Sequence, residues 1–368
     1  MINHVILARA ARCSVAAAAT LLISAAFVAG RSERLTTEAS AETLTGETLS
    51  QAAPPARRVE LANEAAFFDD AAAVAWKQFN GLWIERSGLA SATPHYSRLT
   101  PWDIGSVIAA NFSAHRLGLL GAAAYEQRMR TTLRTLATMP LYRDAVFHKM
   151  YFAEDARMAG RNGRVSRTGY GWSATDLGRL LNWLHIVALN EPQFAADVER
   201  IVKRIDFAET TGGGYLWGGL LGTHGKLWKF QEGRIGYEQY AAAGFRSYGA
   251  AVENALDMQK NARPVRVMGV QVLADTRGLD RLNSEPFVLM GIELGFTRDM
   301  QQLARNVLAA QEARYRKTGK LTMVSEDAVS VPPYYFYYYC VLCNGRAFTV
   351  DVAETGKQLN GPRWVSTK

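Results

Sequence analysis

The chain is 368 residues long, 48% hydrophobic and 21% charged, with no long low-complexity tract. That excludes a disordered chain or an array of small modules and leaves enough apolar material for a large buried core in one or two domains. The formal net charge of +8 is dispersed along the chain without the basic stripe or recognised module that nucleic-acid binding requires. A basic surface of this kind can still hold an acidic polysaccharide or an anionic membrane surface.

Residues 1–30 read as a signal peptide or N-terminal anchor. Arg9 and Arg12 precede an uncharged apolar run over residues 14–30, long for a signal core and slightly short for a secure membrane span. Cleavage after Gly30 or after Ala39-Ser40-Ala41, or retention as a membrane anchor, all predict a periplasmic or secreted protein. Cys13 precedes the apolar run, whereas a lipoprotein cysteine follows it. Residues 31–58, rich in Thr, Ser, Ala, Glu and Pro, read as a flexible linker.

From residue 59 to 350 the pattern predicts helical hairpins. Residues 61–79 have amphipathic spacing, residues 104–120 are apolar on all sides, and residues 122–139 are amphipathic again. The alternation continues through 173–189 (buried), 192–207 (amphipathic), 237–256 (buried), 285–296 (buried) and 298–319 (amphipathic), interrupted by a short β excursion near "VRVMGVQVLAD". Buried and amphipathic helices taking turns predict an all-α fold, an (α/α) toroid of about six helical hairpins; residues 351–368 form a tail. A solenoid of helix pairs is the alternative, but no fixed repeat period is visible.

Cys340 and Cys343, in "YYYCVLCNG", read as two buried thiols at helical spacing. The six histidines are scattered and no further paired ligands complete a zinc site, so neither a metal nor a cofactor is expected. The sequence sets no oligomeric state.

The chemistry is concentrated where buried helices begin. "TPWDIGS" carries Trp102 and Asp103, "GYGWSATDLG" carries Tyr170, Trp172 and Asp176, "QEGRIGYEQY" carries Glu232, Arg234, Tyr237, Glu238 and Tyr240, "NSEPF" carries Glu285, and "VSEDAVSVPPYYFYYY" carries Glu326, Asp327 and Tyr334. Parallel inner helices would open all five entrances onto one acidic, aromatic-lined cavity. Asp103 and Glu285 each also fit a helix cap, whereas Asp176 lies past the cap Ser173 and Glu238 lies within a first turn. Trp217 and Trp228, like Trp102 and Trp172, flank glycine-rich loops, where core tryptophans are less expected. Aromatic faces that stack on sugars and paired carboxylates that cleave glycosidic bonds describe a cleft for an oligo- or polysaccharide.

The ordered motifs "WDIGS", "GYGWSATDLGRLL", "QEGRIGYEQYAAAGF", "SEPF", "QEARYRKTGKLTMVSED" and "PPYYFYY" resemble a bacterial family of exported, glucoamylase-like domains of unknown function. The likeness covers residues 61–348, and that family is in turn distantly similar to α/α-toroid enzymes acting on β-1,2-glucan. The resemblance implies that Glu238 of "YEQY" is a candidate acid and that "SATDLG" contributes Asp176 from the neighbouring inner helix. After "SED" the family continues with His and polar residues, whereas here Ala328, Val329 and Ser330 follow, which argues against catalysis by Glu326 or Asp327.

The expectation is therefore an exported glycoside hydrolase with Glu238 as acid and Asp176 as base, and Glu232 and Asp103 as substitutes. Trp102, Trp172, Trp217, Trp228, Tyr170, Arg234, Tyr237, Tyr240, Glu285, Glu326 and Tyr334 would contact sugar. A non-catalytic glycan-binding or exopolysaccharide-assembly protein is the alternative. A lyase, third, would draw its base from Tyr170, Tyr237, His148 or Lys149.

Overall fold

Thr100 and Asp103 start the first deeply buried helix by capping each other. In the computed structural model, which describes residues 42–43 and 64–352 apart from 223, 278–279, 320–323 and 329–335, Thr100 is extended and its hydroxyl accepts the Asp103 N–H, while the Asp103 carboxylate accepts the Thr100 N–H. This capping box, with Pro101 in the first turn, satisfies donors that a helix N-terminus otherwise leaves open. The expected leader and Tyr334 lie outside the described residues. So does the expected linker apart from Glu42–Thr43, a two-residue strand.

The described residues form two compact units, one comprising Ala73–Gly233 with Glu238–Asp257, the other comprising those up to Ala72, Arg234–Tyr237 and those from Met258 onward. After helix α1 (Glu64–Leu82), the first unit is built on α2 (Pro101–Arg116), α3 (Ala122–Thr138), α4 (Ala174–Asn190), α5 (Ala195–Val202) and α6 (Tyr237–Arg246). Most of α2 and α4 is buried, whereas α3 buries one stripe, Tyr125, Met129, Thr132, Leu133 and Leu136, and α5 buries Val198 and Ile201. This is the expected alternation of fully buried and amphipathic helices.

Small residues set how closely the buried helices approach. A Cβ on Gly178 of α4 would lie 2.5 Å from the Cβ of Ala241 in α6, and one on Gly244 would strike the Gly178 carbonyl and lie 3.0 Å from the Asn182 N. A Cβ on Gly105 of α2 would lie 3.1–3.2 Å from Arg179 of α4, and further along Phe112 meets Trp183 with ring centroids 6.0 Å apart. Contacts that advance along both partners in the same direction make α2, α4 and α6 parallel. Their N-termini share one end of this unit.

Three short strands flank that end. β1 (Gly171–Trp172) pairs with β2 (Tyr215–Leu221), which pairs with β3 (Leu227–Gln231), all antiparallel. β1 leads into α4 and β3 leads towards α6, so the sheet carries the chain into two of the three buried helices.

The second unit carries the β excursion expected near "VRVMGVQVLAD" and, beyond that expectation, a three-stranded sheet. β4 (Ala262–Val267) and β5 (Val270–Asp275) form a hairpin, with Glu42–Thr43 paired on β4. Met268 and Gly269 both have positive φ, the demand of a two-residue hairpin turn. Helix α7 (Glu285–Leu289) widens into a π-turn over Met290–Leu294, and α8 (Arg298–Thr318) follows, capped by Thr297 and ended by Gly319 in the left-handed region. β6 (Glu326–Ala328), β7 (Phe336–Cys343) and β8 (Arg346–Val352) form an antiparallel sheet.

The tyrosine-rich segment expected to enter a helix is therefore strand β7. Aromatic and β-branched side chains favour a pleated strand, and Asn344-Gly345, both at positive φ, supplies the turn that folds β7 onto β8. Cys340 and Cys343 are buried free thiols, on a strand rather than at helical spacing. The helix expected over 237–256 stops at Arg246; Gly249 at φ +80° turns the chain and only Glu253–Leu256 is helical beyond it. Among the described residues no helix is long and apolar enough to cross a membrane.

Candidate active site

Four carboxylates gather at the common end of α2, α4 and α6. Asp103 and Asp176 are each the third residue of their helix, and Glu238 is the second residue of α6. Acidic side chains in a first turn oppose the positive end of the helix dipole. Asp103 is committed to its cap, accepting both the N–H and the hydroxyl of Thr100 at 2.8 and 3.0 Å. Glu232, just past β3, reaches α4 instead: its Oε2 accepts the Thr175 N–H at 2.9 Å and the Ser173 hydroxyl at 3.1 Å. Ser173 itself caps α4 by accepting the Asp176 N–H, as the sequence predicts. Asp176 is half-buried, and Glu238 is 1% exposed.

Glycine makes room for this arrangement. A Cβ at Gly218 would lie 2.7 Å from the Glu232 carboxyl carbon, and one at Gly219 would collide with the ring of Trp172. The glycine-rich β2 strand therefore lets a carboxylate and an indole settle against its backbone.

Between the helices lies a group that sequence reasoning missed. Arg179 is buried; its Nε donates to the Ser106 hydroxyl at 3.0 Å, its Nη1 donates to Tyr240 Oη at 2.7 Å, and its guanidinium lies 5.0 Å from the Trp102 ring centroid. Trp102 and Tyr240 meet at 5.7 Å. Arg179 thus ties α2, α4 and α6 together directly beneath their N-termini. Its signal was available, a cation inside the apolar run "LGRLLNWL" three residues after Asp176, since a buried arginine needs partners.

The aromatic residues divide by exposure. Trp102, Trp172, Tyr237 and Tyr240 are buried core rings, so the glycine-rich setting of Trp102 and Trp172 does not keep them out of the core. Trp172 donates its Nε1–H to the Trp217 carbonyl at 2.8 Å and packs on Tyr142. Trp217 and Tyr170 are half-buried, and Trp228 is 57% exposed.

The second unit holds a separate cluster. The Tyr237 hydroxyl donates to Glu285 Oε2 at 2.7 Å, the Glu326 N–H donates to the same oxygen at 3.2 Å, and Asn283 Nδ2 donates to Tyr237 Oη at 3.2 Å. Arg234 lies 4.5 and 4.9 Å from the Tyr237 and Tyr338 rings and 3.5 Å from Glu326 Oε2. Burial, the largest single influence, works against the guanidinium charge, but Tyr338, Glu326 and Tyr237 together outweigh it and hold the Arg234 pKa above its usual value. Burial, then Glu285 and Glu326, push the Tyr237 phenol well above its usual range. Glu285 is not the cap the sequence suggested: the α7 cap position, Ser284, makes no side-chain cap bond, and Glu285 serves Tyr237 instead.

Two of the candidate lyase bases are otherwise engaged. Tyr237 is a hydrogen-bond donor with a raised pKa. His148 is buried with Nδ1 2.7 Å from the Gly171 carbonyl oxygen and Nε2 2.9 Å from that of Ala159, so both ring nitrogens are occupied by backbone. Among the described residues no group of three metal-binding side chains comes together.

The fold is similar to that of a candidate glucoamylase from Bacteroides caccae, at 16% identity and a TM-score of 0.53 over 73% of this chain and 75% of that one. An endo-β-1,2-glucanase from Chitinophaga pinensis, in complex with sophorotriose and glucose, is similar at 14% identity and a TM-score of 0.50, over 72% of this chain and 73% of that one. At such identities the likeness establishes the fold, a helix-rich, glucoamylase-like one, and not the activity. No curated protein matches the chain in sequence. A family model covers residues 70–368, and the chain belongs to that family, described as "Protein of unknown function (DUF3131)".

Proposed function

We propose that this protein is an exported glycoside hydrolase of (α/α)-toroid architecture that acts on a bacterial glucan or exopolysaccharide. Glu238 is the general acid that protonates the leaving oxygen, and Asp176 is the base that activates water. The observation that carries this reading is the position of these two residues in the first turns of α6 and α4, parallel buried helices in direct contact through Gly178, Ala241 and Gly244. Rigid helices locked by close packing hold reacting groups better than loops do. Asp103 and Glu232 stand at the same end and complete helix N-termini.

The likeness to an endo-β-1,2-glucanase supports testing β-1,2-glucan first. Purified protein is incubated with β-1,2-, β-1,3-, β-1,4- and α-linked glucans and with uronate polymers, and reducing ends are measured. Release from at least one glucan is the expected outcome. Binding without release across the panel would favour a non-catalytic glycan-binding protein, and an unsaturated, ultraviolet-absorbing product would mean a lyase. Export is tested by fusion to a reporter active only outside the cytoplasm; the full-length fusion should be active and one lacking residues 1–30 should not.

A further inference from the structure

The first unit carries a surface on which cations and aromatic rings alternate. Three cation–aromatic pairs follow one another. The Arg98 guanidinium lies 4.3 Å from the Tyr96 ring centroid, Arg161 lies 5.4 Å from Tyr170, and Lys226 Nζ lies 4.5 Å from Trp228.

Backbone contacts join the pairs into one surface. Gly163, in a tight turn closed by the Gly160 N–H on the Arg164 carbonyl, abuts the Arg98 guanidinium, which lies 3.5 Å from where its Cβ would stand. Arg161 Nη2 donates to the Leu221 carbonyl at 2.6 Å, and the Leu221 N–H donates to the Tyr170 carbonyl at 2.7 Å. The Gly222 N–H donates to the Lys226 carbonyl, closing the turn between β2 and β3 that presents Trp228. The loop around Gly163 and the tip of the β2–β3 hairpin are thereby one structure.

Among the described residues, the ion pairs identified on this surface involve other cations. Arg157 is paired with Asp155 and Lys229 with Glu209, so those two cations are spent. Arg161 and Lys226 instead face rings, and the neighbouring Arg164 and Arg167 are exposed. A cation over a ring contributes only modestly at an exposed site, so neither the charge nor the 57%-exposed Trp228 is accounted for by folding.

We propose that this surface binds an acidic polysaccharide, one bearing uronate carboxylates. The rings take the apolar C–H faces of the sugar units and the guanidinium and ammonium groups pair with the carboxylates between them. Spacing favours a sugar chain over a membrane, because the aromatic groups lie along a folded loop and hairpin, not on an amphipathic helix able to insert.

The proposal does not depend on the hydrolase reading and is tested separately from it. Full-length protein is run by affinity electrophoresis in gels containing polygalacturonate, neutral β-1,2-glucan or no polymer, and the Kd for polygalacturonate is measured by calorimetry. Binding to a single-stranded oligonucleotide and to phosphatidylglycerol vesicles is measured in parallel. Retardation by polygalacturonate in preference to the other three is expected, with Trp228→Ala and Lys226→Ala each raising Kd by about tenfold, the equivalent of roughly 1.4 kcal/mol. Both positions are at the surface, and circular dichroism checks that the variants fold. Glu238→Gln, which removes the proposed acid, should bind as the parent does. Absence of binding to polygalacturonate, an unchanged Kd in both folded variants, or tighter binding to the oligonucleotide or the vesicles would each overturn the proposal.

Discussion

Glu232 accepts a hydrogen bond from the backbone N–H of Thr175 at 2.9 Å, across 57 residues of sequence, so the first turn of α4 is finished by a side chain delivered from the end of β3. Hydrogen bonds to a charged group contribute about 1.5–3 kcal/mol. Glu232→Ala should therefore lower unfolding free energy by about 1–3 kcal/mol in urea titration. Gly218→Ala should destabilise in the same direction, because the added methyl meets that carboxylate. Midpoints unchanged in both variants would contradict the capping role.

Gly178 tests the close approach of α4 and α6. Replacing glycine by alanine inside a helix ordinarily stabilises by about 1 kcal/mol, but here the new methyl would stand 2.5 Å from the Ala241 Cβ. Overpacking a tight contact costs about 1–3 kcal/mol, so Gly178→Ala should be net destabilising in thermal or urea unfolding. A stabilised variant would mean that the helices can separate without loss.

Much of this was legible in the sequence where the cause is local. Ser173 and Asp103 cap helices that begin beside them, and the small residues after Glu238 announce close packing. Partners far apart were not legible. Glu285 reads as a cap until Tyr237, 48 residues away, is seen to donate to it, and Trp172 reads as a cleft residue until β2 brings Gly219 against its ring. The tyrosine run around β7 reads as the lining of a helix entrance because its rings are so dense, although Asn344-Gly345 between two apolar runs carries the hairpin signal.

Removing the Tyr237 hydroxyl takes away a donor to Glu285 and an acceptor for Asn283. Tyr237→Phe leaves Glu285 with the Glu326 N–H but without its phenolic donor, and a buried acceptor that loses a partner costs about 1–3 kcal/mol. The variant should fold and be less stable by that amount, measured by urea unfolding. An unchanged stability would mean that these two bonds contribute nothing.

His148 gives a pH dependence. Burial is the stronger influence and lowers its pKa below the usual value, with Lys149 acting the same way and the carbonyls of Ala159 and Gly171 opposing. The unfolded chain then binds the proton more readily, so stability is fully present above the ordinary histidine pKa of about 6.5 and is lost as pH falls through the folded-state value. Urea unfolding between pH 8 and 5 should show this decline, and His148→Gln should flatten it. Equal slopes in parent and variant would contradict the assignment.

The proposed roles fix the stereochemistry: if Glu238 is the acid and Asp176 activates water, attack comes opposite the leaving group, and proton NMR of the first product should reveal inversion of the anomeric centre. Retention would require a carboxylate nucleophile and a different pairing.

The central claim is that Glu238 delivers the proton, and one substitution addresses it. Glu238→Gln keeps size and hydrogen bonding but cannot protonate a leaving group. On the glucan that the parent cleaves, initial rates of reducing-end release at saturating substrate should fall by about a hundredfold or more, with unfolding midpoint and substrate binding retained. Full activity in the folded Gln variant would remove Glu238 from the mechanism and contradict the account.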